Sequence, residues 1–129
     1  HAYGIGYAML ELHPVTGMSI FVGDVGIGLA RGISHVYRVR VRGDEQAVSM
    51  VMGLKNLMSK RRRPLGALAY GGRGLERVRY ILGKLEGTAL VRSGTSMALY
   101  QPKHASDPTN IYHRLFAMCG TQILINIPS

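Results

Sequence analysis

The chain has 129 residues, enough for one domain with an adequate core. Its apolar share is 47% and its charged share only 18%, which excludes a disordered basic tail. The formal net charge is +9, and a lone cysteine, Cys119, rules out an intrachain disulfide.

The charge is uneven. Fourteen of the sixteen Lys and Arg lie between Arg31 and Arg92 against four of the seven acids, a local net of +10 that leaves −1 elsewhere; residues 1–30 hold no Lys or Arg. Such a distribution concerns association rather than fold and favours an anionic partner. No basic segment precedes a hydrophobic run, and no apolar run approaches the roughly 20 residues of a membrane span. The expectation is an intracellular protein without a membrane partner. The chain opens at His1, which reads as a trimmed form or a mature form cut from something longer.

Residues 3–12 (YGIGYAMLEL) are apolar except Glu11 and read as a strand, with a short helix as the alternative, that His13-Pro14 ends. VTG reads as a turn and MSIFVG as a second strand. In DVGIGLARGIS, the glycines predict turns or a bulge. The Gly26–Gly28 pair is a weak phosphate-loop signal, lacking a third glycine in register, a helix directly behind it and any G-K-[ST]. HVYRVRVR (35–42) then alternates as a strand, with Tyr37, Val39 and Val41 on one face and Arg38, Arg40 and Arg42 on the other.

Asp44 and Glu45 open a helix whose stripe is Ala47, Met50, Val51, Leu54, Leu57 and Met58. Lys60, Arg61, Arg62 and Arg63 close it before Pro64; four consecutive cations exceed what a helix end needs and point to phosphate contact. LGALAYGG reads as a buried strand. The glycine-rich start at 71–74 then opens a helix with Leu75, Val78, Leu82 and Leu85 inward and Arg73, Arg77, Tyr80 and Lys84 outward. TALVR-SGT-SMALYQ predicts a hairpin turning at Gly94. Asp107-Pro108 starts a helix over 108–119 with Cys119 on its apolar side, and TQILINI closes the chain as a strand.

The expected fold is therefore α+β: one domain, an antiparallel sheet with helices on one face. Residues 64–129 would be ferredoxin-like β-α-β-β-α-β, and residues 1–63 would add strands and one helix. The segment LGALAYGGRGLERVRYILGKLEGTALVRSGTS resembles the start of the papillomavirus regulatory DNA-binding domain, placing Leu75, Arg79 and Tyr80 on its reading helix. Glu76 and Ile81 depart from that family's basic positions, and residues 1–63 have no counterpart, so no family is assigned.

No metal-ligand spacing, nucleophile elbow or P-loop lysine is present, and no cofactor is expected. Glu11 and Asp24 are the candidate buried carboxylates; with His35 they are where an enzyme's chemistry would be sought. The leading expectation is a non-enzymatic nucleic-acid-binding domain, for DNA or RNA, working as a homo-oligomer or as a subunit of a larger assembly. Its phosphate contacts would come from Arg38, Arg40, Arg42, Lys60, Arg61, Arg62, Arg63, Arg73, Arg77 and Lys84, with Tyr80 stacking. The rival is a small oligomeric enzyme or sensor that binds an anionic metabolite or nucleotide through the glycines at 23–32 and 71–74.

Overall fold

The computed structural model describes residues 5–38, 40–52, 74–102 and 109–129. They form a six-stranded antiparallel sheet with three helices packed against it. In chain order these are β1 (Gly6–His13), β2 (Gly17–Asp24), α1 (Gly28–Tyr37), α2 (Asp44–Met52), α3 (Gly74–Leu85), β3 (Thr88–Gly94), β4 (Ser96–Tyr100), β5 (Thr109–Tyr112) and β6 (Met118–Ile127). The strand order across the sheet is β1-β2-β6-β3-β4-β5.

Register fixes which side chains share a face. Ala89, Val91 and Ser93 of β3 alternate inward and pair with Tyr100, Ala98 and Ser96 of β4. The core-packed Ile123 and Ile125 of β6 lie opposite Val91 and Ala89. Onto this face the helices lay Leu29 from α1, Val48 and Val51 from α2, and Val78 and Leu82 from α3. Val48, Leu82 and Val91 are fully buried and centre the core. All three helices therefore cover one face, over β3 to β6; of the helix expected over 44–58, residues 44–52 are helical and 53–58 lie outside the described residues.

Two elements differ from the sequence reading. The strand expected over HVYRVRVR does not exist: residues 28–37 are helical, and Arg38 ends the helix in the left-handed region with φ +50°. Leu29 and Ile33 recur at helical spacing, Leu29 packs against the core and Ile33 is 6% exposed, so burial of that pair outweighs the short downstream alternation. The helix expected over 108–119 is replaced by β5, a connection and the start of β6. There Ile111, a β-branched strand former, pairs with Ala98 and packs on the core, whereas Phe116 is 92% exposed. Cys119 is consequently an exposed strand residue and not a buried helical one. The α+β sheet with helices on one face is as expected, whereas the ferredoxin-like order, which needs that second helix, is not confirmed; the strand expected at 65–70 lies outside the described residues.

Candidate ligand site at the glycine turn

Asp24 is the last residue of β2, and the chain behind it folds tightly. The Gly26 N–H donates to Asp24 Oδ1 at 2.7 Å, and the Thr121 N–H donates to the same oxygen at 3.3 Å. One carboxylate oxygen thus ties the turn to the start of β6. Across this junction the Gly120 backbone, with φ +73°, lies so close to Asp24 that a Cβ there would overlap its carbonyl. Gly28, at φ +78°, opens α1. The Leu29 N–H donates to Ser93 Oγ at 2.8 Å, and that buried hydroxyl donates to the Gly120 carbonyl at 3.3 Å. A segment 64 residues away in sequence thereby holds the helix start.

The result is a strand, a short glycine turn and a helix directly behind it. That helix is the feature whose apparent lack makes the Gly26–Gly28 pair look weak in the sequence. α1 has no side-chain cap at Ile27 and no acid in its first turn, and exposed Arg31 follows one turn in. Its amino end carries the positive end of the helix dipole, and the nearest carboxylate, Asp24, lies in the turn before it with Oδ1 already accepting from Gly26 and Thr121. Asp24 Oδ2 has no hydrogen-bond partner among the described residues and is available to accept from a ligand amine or hydroxyl.

The residues predicted for phosphate contact are dispersed. Arg77, Tyr80 and Lys84 do share the outer face of α3, all exposed, with Lys84 Nζ 4.6 Å from the Tyr80 ring centroid. Arg38, Arg40 and Arg42 are exposed, but they occupy the end of α1 and its connection to α2, so the three-arginine strand face is not formed. Lys60, Arg61, Arg62, Arg63 and Arg73 lie outside the described residues.

The candidate carboxylates also part company. Glu11 is exposed in β1, which removes it as a buried acid, whereas Asp24 is half-buried and doubly hydrogen-bonded. His35 is exposed in the last turn of α1. Asp44 is structural. Its Oδ2 accepts from the Thr95 N–H at 2.9 Å and from Thr95 Oγ1 at 3.1 Å, pinning the β3–β4 turn to the start of α2. Among the described residues no group of three or more His, Cys, Asp or Glu is arranged to hold a metal ion.

Sequence reasoning misses Ser93, Gly120 and Thr121. Locally, Ser93-Gly94 looks like a hairpin turn and Gly120 like a helix stop; only tertiary pairing brings them to Asp24. The chain matches no protein-family model, no curated protein and no solved structure.

Proposed function

We propose that the protein binds a phosphorylated small molecule at the turn between β2 and α1. The observation that carries this reading is the glycine-rich amino end of α1 directly behind Asp24-Val25-Gly26-Ile27-Gly28, where Ile27 offers no side-chain cap and Ser93 Oγ takes the Leu29 N–H alone. Backbone N–H groups at a glycine-rich helix start, with the helix dipole behind them, form a general anion site. Arg31 adds a positive charge one turn in, and Asp24 Oδ2 supplies an acceptor that suits a ligand with one anionic end and one donor-bearing end. No reaction is assigned to the site.

Nucleic-acid binding stands as the second reading, favoured by the exposed Arg77–Tyr80–Lys84 face of α3. The two are separated by equilibrium binding of a labelled mononucleotide and of labelled single- and double-stranded DNA and RNA, each at low and high salt. Ligand capture at the glycine turn predicts saturable mononucleotide binding with a shallow salt dependence. Polymer binding by counterion release predicts an affinity that falls steeply with salt. No mononucleotide binding at either salt, with tight salt-sensitive polymer binding, overturns the first reading in favour of the second.

A further inference from the structure

The β1 end of the sheet is built unlike the rest. β1 is an edge strand of eight residues, GYAMLELH, and every one of them is exposed. Met9 is 62% exposed on one face; Leu10 and Leu12, 59% and 71% exposed, are on the other. By register, Leu10 and Leu12 lie beside Ile20 and Met18 of β2, which pair in turn with Ile125 and Ile127 of β6. Those two isoleucines pack on the core, so Leu10 and Leu12 continue the helix-covered face past the helices among the described residues.

A long, apolar, uncharged edge presents a row of unpaired backbone donors and acceptors, and proteins blunt such edges with lysine, proline, bulges or short strands. β1 has none of these; Glu11 is its one acid or base other than the terminal His13. The opposite edge, β5, is only four residues long and carries the short-strand protection that β1 lacks.

We infer that β1 is a self-association edge, pairing antiparallel with β1 of a second copy about a two-fold axis. The charge distribution selects the occupant. Each copy carries +9, which opposes self-association everywhere except where the cations are absent, and residues 1–30 contain no Lys or Arg. β1 and β2 both lie within that stretch and bring no Lys or Arg to a β1–β1 seam. A pairing centred on Leu10 places Glu11 opposite Met9 of the second copy, so no like charges meet at the seam. It also brings together the two uncovered patches of Leu10 and Leu12. A two-fold edge closes at the dimer, whereas β1 pairing with β5 would propagate. The edge and the ligand site proposed above stand or fall separately.

The test is molar mass by light scattering and sedimentation equilibrium over a concentration series at two salt concentrations. The wild-type chain is run beside Leu10→Lys, together with disulfide trapping of Leu10→Cys in a Cys119→Ser background. The expected result is a dimer that salt leaves intact or strengthens, a trapped covalent dimer, and dimer affinity weakened about tenfold or more by Leu10→Lys, equivalent to roughly 1.4 kcal/mol. Leu10 is exposed, so circular dichroism of Leu10→Lys should match wild type; if it does not, the trapping experiment decides alone. A monomer at every concentration, masses that grow past the dimer, a dimer dissolved by salt, or a dimer that yields no trapped species overturns the assignment.

Discussion

β1 and β3 are strands of one sheet with similar apolar content, and they meet opposite fates. β3 alternates buried and half-buried residues along its length, while β1 is exposed throughout. Hydrophobicity does not separate them, because GYAMLELH is at least as apolar as TALVRSG. Cover does: helices pack over β3 to β6, and among the described elements β1 is contacted by β2, with no other element pair beyond marginal contacts. A strand's burial is thus set by what lies above it and not by its own apolar content.

The sharpest way to break this comparison is to truncate one leucine on each side of it. Leu82 is 1% exposed under α3, and Leu82→Ala should cost about 2–5 kcal/mol by denaturant unfolding, as lost burial and a residual cavity add. Leu10→Ala, measured at a concentration where the chain is monomeric, should stay within about 0.5 kcal/mol of wild type. Comparable losses would mean that β1 is covered within one chain, and the contrast between the two regions would fall.

Next in size is Gly120→Ala. The position has φ +73°, and its Cβ would overlap the Asp24 carbonyl, so strain and displacement act together. A loss of about 2–4 kcal/mol is expected, with the Thr121 N–H drawn away from Asp24 as the turn shifts. A change below about 0.5 kcal/mol would show that the β2–β6 junction is not held as tightly as its geometry requires.

Ser93→Ala is smaller. It removes the acceptor for the Leu29 N–H, part-buried, and the donor to the Gly120 carbonyl, buried. The expected cost is about 1–2 kcal/mol. Amide exchange should localise it, with the first turn of α1 losing protection while the β3–β4 hairpin keeps its own.

The sequence discloses the elements whose patterns are local. β1, β2 and the turn between them, α3, and the hairpin of β3 and β4 follow from alternation, helical periodicity and Gly94. It misleads where two signals compete. Around α1, Gly26, Gly28 and Gly32 hide the helical stripe of Leu29 and Ile33, and the alternation of Val and Arg beyond it imitates a strand. Around β5, Asp107-Pro108 and the run NIYHRLFAM favour a helix locally, but pairing of Ile111 with Ala98 and burial on the core win. The candidate site is half visible: Asp24 and its glycines stand together in the chain. Ser93, Gly120 and Thr121 reach them only through the pairing of β2, β6 and β3, which no local pattern encodes.

The smallest expected effect on stability is also the most diagnostic for function. Arg31 is exposed one turn into α1, where a negative charge is favoured by the helix dipole by about 0.3–1 kcal/mol. Arg31→Glu should therefore leave thermal stability unchanged or raise it slightly. The same reversal puts a carboxylate beside the proposed phosphate, so affinity for a mononucleotide should drop about tenfold, or roughly 1.4 kcal/mol. Stability and binding are expected to move in opposite directions, which damage to the fold cannot mimic. If Arg31→Glu stabilises the chain and mononucleotide affinity is unchanged, the amino end of α1 is not the anion site, and the exposed face of Arg77, Tyr80 and Lys84 becomes the place to mutate.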